Sequence, residues 1–305
     1  MTSTALILGP SGRFGRHAAE AFWNAGWQVR LFDRRADDLI AAAKGTDVIV
    51  NGWNPNYSDW VKELPRLTRQ VIKAARSSGA TVLLPGNLYV YGKDSPPHLE
   101  LQTPHRATNT LGRLRIESEQ AYRASGVQTI LLRAGDFIDT TASGNWFDMI
   151  IAKKAHAGKL VAPGDARAAH AWAFLPDLAQ AAVQLVEKRD QLAPFEEVLF
   201  PGYTLSVQEM ADLASACLNQ PVSVSQFHWW PILAAAPFWK MGRHLLEMRY
   251  LWSMPHWLDP APFNTVLPDF KPTDPAIALA TALRGLQKIG PDKPVTRGAQ
   301  NILTE

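Results

Sequence analysis

Gly9, Gly12 and Gly15 are spaced G-x-x-G-x-x-G directly after the apolar run Ala5-Leu-Ile-Leu8. That pattern suits a turn wrapped around a diphosphate. The first glycine lets the chain turn sharply off a strand, the second lets backbone N–H groups come close to the anion, and the third lets the next helix pack tightly. The anion would lie at the positive end of that helix. Ser11, Arg13 and Phe14 sit between the glycines and are expected to contribute contacts.

A second chemical position follows. Gln28-Val-Arg-Leu-Phe32 reads as a strand and ends at Asp33, eighteen positions after Gly15. This is close to the spacing at which an acid receives the hydroxyls of an adenosine ribose. A carboxylate there repels the extra phosphate of NADP and favours NAD. Arg34 and Arg35, with Arg13 in the glycine loop, offer forked donors that suit the same phosphate, so NADP stays open.

The elements that must position these residues alternate in type. Arg13–Ala25 has helical spacing, with Gly26 as its stop. Asp47-Val-Ile-Val50 reads as a buried strand leading into Asn51-Gly-Trp-Asn54, where Asn51, Gly52 and Trp53 are expected to wall the cofactor. A helix with Pro65 inside it, strands at Thr81–Leu84 and Thr129–Leu132, and a helix at Pro176–Lys188 continue the alternation. Such a pattern implies a parallel sheet covered on both faces, with ligands at the carboxyl ends of its strands. Ser206 and Glu209 form a capping-box pair before another helix, and Asp274-Pro275 opens a last one ending near Gly290.

From Tyr89-Val-Tyr-Gly92 onward the chain resembles the extended short-chain dehydrogenase/reductase family, the NAD-dependent epimerases and dehydratases with their atypical, NmrA-like relatives. The glycine loop, Thr103-Pro104, Gly112 with Glu117 and Glu119, Leu132-Arg-Ala-Gly135 and Ala171-Trp-Ala-Phe-Leu-Pro-Asp-Leu-Ala179 carry the resemblance. It implies a Rossmann-type doubly wound sheet with a smaller, mostly C-terminal substrate region. It also implies hydride transfer between nicotinamide and a carbonyl or alcohol. The family's serine or threonine, tyrosine and lysine fall on Asn87, Leu111 and Arg115.

Leucine cannot transfer a proton and arginine stays charged, so the chemistry departs from the family at the proton-carrying position. Asn87 is expected to donate a hydrogen bond to a substrate carbonyl or a cofactor oxygen, and Arg115 to hold the ribose and stabilise negative charge. Tyr89, Tyr91 and His105 are the nearby candidates for the proton, and Tyr91 or a bound water is expected to handle it. A rival expectation is a non-catalytic, dinucleotide-binding regulator or redox sensor that acts on a protein partner, for which Leu111 is no loss.

The 305 residues are 47% hydrophobic and 19% charged, enough for one large α/β unit with an appended part. We expect residues 1–165 to form the dinucleotide-binding part, with segments around 170–200 returning to it. Residues 201–290 are expected to form the substrate region, and 291–305 a polar tail. A net charge of +3 without a basic stripe argues against nucleic acid. No readable leader or membrane span leads to a cytoplasmic expectation, and eight scattered histidines to no metal. The lone cysteine, Cys217, is expected to be buried on the apolar face of its helix. The tryptophan-rich stretch 227–263 reads as a packed subdomain, a lid over an apolar or aromatic substrate, or a surface patch for a second copy or a membrane. The family resemblance implies a small-molecule substrate and a homodimer.

Overall fold

The computed structural model describes residues 2–287, so the expected tail at 291–305 and the end of the last helix near Gly290 lie outside the described residues. β1 (Thr4–Leu8) leads through the glycine turn into α1 (Arg13–Asn24), followed by β2 (Gln28–Phe32), the short α2 (Leu39–Ala43) and β3 (Val48–Asn51). Then come α3 (Trp60–Ser78), β4 (Thr81–Gly86), β5 (His98–Leu99), α4 (Thr110–Ala124), β6 (Thr129–Arg133) and β7 (Asp136–Ile138). α3 runs on through Pro65 without a break.

The second half holds β8 (Lys159–Ala162), β9 (Ala171–Phe174), α5 (Leu175–Glu187), β10 (Phe195–Leu199), β11 (Tyr203–Thr204), α6 (Val207–Leu218) and β12 (Ser223–Gln226). α7 (Trp230–Ala235), α8 (Lys240–Met248), β13 (Trp257–Leu258), α9 (Pro260–Val266) and α10 (Pro275–Gln287) complete it. Among the described residues, no helix is long and apolar enough to cross a membrane.

The main sheet has six parallel strands in the order β10-β6-β4-β3-β1-β2. Its central strands are apolar on both faces because helices cover both. On one side Phe14, Ala18 and Phe22 of α1 pack with Leu178, Ala182 and Val186 of α5. On the other, Val71, Ala74 and Ala75 of α3 and Tyr122 of α4 cover Leu6, Ile49 and Val82. The strand order reverses beside β1, and that is where the carboxyl ends open a crevice.

The smaller part interleaves with the larger. A three-stranded sheet β11-β9-β7 and the pairs β12-β8 and β13-β5 lie beyond the main sheet, while α5 and β10 return to it. The capping box forms as the sequence indicates, with the Ser206 hydroxyl accepting from the Glu209 backbone and the Glu209 carboxylate accepting from the Ser206 N–H. Cys217 corrects the expectation drawn from its helix. α6 buries Val207, Met210, Ala211 and Ala214, and Cys217 lies off that stripe and is exposed.

Candidate functional site

The glycine turn is packed at backbone distance against the end of β3. Gly9 has φ +70°, and a Cβ on Gly15 would lie 2.1 Å from the Gly9 carbonyl oxygen. A Cβ on Gly52 would lie 2.6 Å from the Leu8 carbonyl oxygen. No side chain can enter at these points; the Gly12 N–H closes the turn by donating to the Gly9 carbonyl at 2.9 Å, and the start of α1 stays open. Gly12 is the N-cap of α1, no side chain caps it, and no acidic residue occupies the first turn. Helix N–H groups left without partners and without a nearby negative charge make an anion site.

At the β2 end of the crevice, exposed Asp33 accepts the Arg35 N–H on Oδ1 at 2.9 Å, which shapes the turn that follows. Trp53 packs edge-on to Phe32, with centroids 5.6 Å apart, and the Arg34 guanidinium lies 5.4 Å from its ring centre. Asp33, Arg34 and Trp53 therefore share one end of the crevice. Asn51 turns inward, donating to the Tyr122 hydroxyl at 3.1 Å, and so fixes the β3 end.

Arg13 goes elsewhere. Its Nε donates to the Ser143 carbonyl at 3.0 Å and its terminal nitrogen to the Gly144 carbonyl. The cluster of three arginines offered for a 2′-phosphate is not assembled, because the 139–144 loop supplies Arg13 with backbone acceptors. That loop is held by a second set of bonds from α1. Arg16 pairs with Asp139, and His17 lies 2.8 Å from the same oxygen. Burial works against the Asp139 charge, but these bonds prevail and bring it down to about 2.

At the β4 and β6 end the residues divide into two groups. Asn87 stands just past β4, with its side-chain oxygen accepting the Tyr89 N–H at 3.2 Å and its carbonyl accepting Arg133 at 2.6 Å. Tyr91 and His105 belong to the group behind it. Tyr91 is 1% exposed and edge-on to His105, within reach of Arg133, whose guanidinium binds Glu119 and Glu197. Burial pushes the Tyr91 hydroxyl up to about 12. These two candidates for the proton thus brace the strand ends and face the ion network.

Leu111 and Arg115 do share a face of α4. Leu111 is fully buried among Trp60, Leu64, Met248, Leu251 and Met254, so α8 and the turn after it fill the space beside it. Arg115 lies over Trp60, 4.4 Å from the ring centre, and donates to the Asn54 side chain at 3.0 Å. Its buried Nε has no protein partner among the described residues. Burial lowers its pKa.

Sequence reasoning passed over Tyr57, Asp136 and His170, and named Tyr89 among the nearby candidates for the proton. The hydroxyls of Tyr57 and Tyr89 bond to each other, and burial raises both, Tyr89 well above the ordinary phenol value. Asp136 accepts from His170 Nε2 at 2.8 Å. Its place just past β6, at a strand's carboxyl end, was the available signal. A separate cavity of about 400 Å³ lined by Lys93, Pro97, Tyr250 and Met254 shares no lining residue with the glycine loop.

No family model matches the chain, and no curated protein matches it. Solved structures do. The complex of MoeE5 with UDP-glucose and NAD superposes with a TM-score of 0.71 at 15% identity, covering 94% of this chain and 99% of that one. WbmH of Bordetella bronchiseptica in complex with NAD+ gives the same values. UDP-glucuronic acid 4-epimerase of Bacillus cereus, in complex with UDP-glucuronic acid and NAD, gives 0.70 at 13% identity over 93% and 99%. The chain has the Rossmann-type fold of these structures over nearly its whole described length.

Proposed function

We propose that the chain binds a nicotinamide dinucleotide, NAD ahead of NADP, and acts as an epimerase- or dehydratase-like oxidoreductase on a small molecule bearing a carbonyl or secondary alcohol. The observation that carries this reading is the cradle of Gly9, Gly15 and Gly52 against an uncapped α1, a space that a single Cβ would fill. The diphosphate would rest on the N–H groups of Ser11, Arg13 and Phe14, while the Gly12 N–H closes the turn on the Gly9 carbonyl. Asp33 would take the adenosine ribose. The nicotinamide would then reach the ends of β4 and β6, since those strands lie on the far side of β1 and β3 from β2.

The residues present fit that group. Asp33 supplies an exposed acceptor, Trp53 an aromatic wall, and the orphaned Arg115 Nε a buried donor. When bound, the dinucleotide supplies a hydride acceptor or donor. Asn87 orients the substrate oxygen, and the Tyr57–Tyr89 pair, in which one hydroxyl donates to the other, leaves one hydroxyl proton to donate beside it. Trp146 packs on Trp229 and on buried Trp252, the ring stacked on His170, and the half-buried Trp146 and Trp229 would give a ring-bearing substrate an aromatic wall. The similar structures hold UDP-sugars, which supports placing nucleotide sugars first among substrates to try.

A second reading, a dinucleotide-binding regulator, draws on one observation: Leu111 is sealed in a core where the family resemblance implies a proton carrier. Turnover separates the two. Absorbance of the reduced nicotinamide is followed with nucleotide sugars, simple ketones and secondary alcohols. Asn87→Ala should lower kcat by about tenfold or more while leaving dinucleotide affinity within about threefold. Equal loss in both would contradict the catalytic role of Asn87, and no turnover with any substrate would favour the regulator.

A further inference from the structure

If Leu111 cannot carry the proton, another group at the ends of β4 and β6 must. Asn87 has no basic atom, Arg115 is a cation, and Tyr91 and His105 face the Arg133 network with Glu119 and Glu197. Tyr57 and Tyr89 are tied to each other and kept protonated by burial, so the pair has one hydroxyl proton left to donate and takes no proton. Asp136 remains.

Its setting suits the task. The Asp136 side chain is 30% exposed while that of its partner His170 is 6% exposed, so the carboxylate is the open member of the pair. His170 Nε2 donates to Oδ2, and among the described residues Oδ1 takes no protein hydrogen bond. The imidazole is held on several sides. It stacks on Trp252 at 4.6 Å with an interplanar angle of 2°, touches Trp172 at 4.6 Å, and meets buried His256 edge-on at 4.3 Å. A ring so confined fixes the carboxylate's direction, as a preorganised base requires. After burial, the Asp136 charge is among the influences that raise both phenols.

We propose that Asp136, oriented by His170, is the acid/base of this site and takes the place that Leu111 leaves empty. The proposal rests on the dinucleotide-dependent reading above. In the oxidising direction the substrate's C–H bond breaks with its electron pair leaving as hydride to the nicotinamide, which is the oxidant. The O–H bond breaks, the proton passes to Asp136 Oδ1, and the C=O bond forms. The reverse returns the hydride to carbon and the proton to oxygen. Asp136 is thus a catalytic residue, and His170 a positioning residue that acts through it.

The test uses the full chain and four proteins: wild type, Asp136→Asn, His170→Phe and His170→Gln. Each is checked by near-ultraviolet circular dichroism, titrated calorimetrically with NAD, and assayed with the substrate panel. Asp136→Asn is expected to lose about a hundredfold or more in kcat with NAD affinity within about threefold. His170→Phe keeps the stack on Trp252 but loses the donor, and should lose about tenfold in kcat with little change in KM. His170→Gln restores a donor and should recover most of that loss. Retention of wild-type kcat by Asp136→Asn would overturn the proposal. So would equal losses in His170→Phe and His170→Gln, or a wild type that binds NAD but turns over nothing in the panel. Failure of wild type to bind any dinucleotide would instead remove the reading beneath it.

Discussion

Acidification from pH 7 to 5 should destabilise this protein through one buried imidazole. His256 is fully buried, its Nδ1 donates to the Met254 carbonyl at 2.8 Å, and its Nε2 has no partner among the described residues. Burial first, and nearby His170 second, lower its pKa to about 3. In the unfolded chain it titrates near 6.5. Above that value both states are neutral. Between 6.5 and about 3 the unfolded chain takes up a proton that the folded protein refuses, so stability falls as pH falls. At about 1.4 kcal/mol per pH unit, the loss between pH 7 and 5 is about 2 kcal/mol, or roughly 4 °C in Tm for a chain of this size. His105 is lowered by burial as well and adds loss of the same sign, whereas Asp139, held near 2, gives up its contribution only below about pH 4. Urea unfolding of wild type and His256→Asn at pH 7, 6 and 5 isolates the effect, because only the difference in slope belongs to His256. The variant's stability should change by about 2 kcal/mol less than wild type over this range. Equal slopes in the two proteins would refute the reasoning.

Three other changes bear on the site. Gly15→Ala sets a methyl group 2.1 Å from the Gly9 oxygen, so the loop must open; dinucleotide affinity should fall by about tenfold or more in calorimetry, and unchanged affinity would show that the loop does not hold the diphosphate. Leu111→Tyr combined with Arg115→Lys places a phenol in the sealed space beside Trp60 and Met248; overpacking should cost about 1–3 kcal/mol in urea unfolding, and a stable variant with new reductase activity would show instead that this space opens to the cleft. Asp33→Ser removes the carboxylate but keeps Arg34, which lies beside Trp53; the NADP-to-NAD affinity ratio should rise by about tenfold or more, and an unchanged ratio would detach Asp33 from the ribose.

The elements around the glycine turn were legible because their signals are local. The turn after β1, the helix stop at Gly26, the strand ending at Asp33 and the β3 loop each depend on residues within a few positions of one another. Long-range packing decided the rest. Arg13 finds its acceptors 130 positions away at Ser143, and Asp136 meets His170 across 34 positions. Leu111 looks like an empty catalytic position in sequence, yet Met248, Leu251 and Met254 come from a distant segment to enclose it. Cys217 fell outside its expected core because α6 buries a narrow stripe that ends at Ala214. The tryptophan-rich stretch divides in the same way. Trp252 is fixed against His170, whereas Trp230 and Phe238 are 69% and 95% exposed, so no single role describes that segment.

Every role proposed for the site depends on a nicotinamide dinucleotide in the glycine cradle. Calorimetric titration of the folded protein, first shown by absorbance to carry no bound nucleotide, against NAD, NADH, NADP and NADPH tests that binding most directly. Saturable binding with NAD or NADH ahead of the phosphorylated forms is the predicted result. Absence of binding by all four would contradict the account.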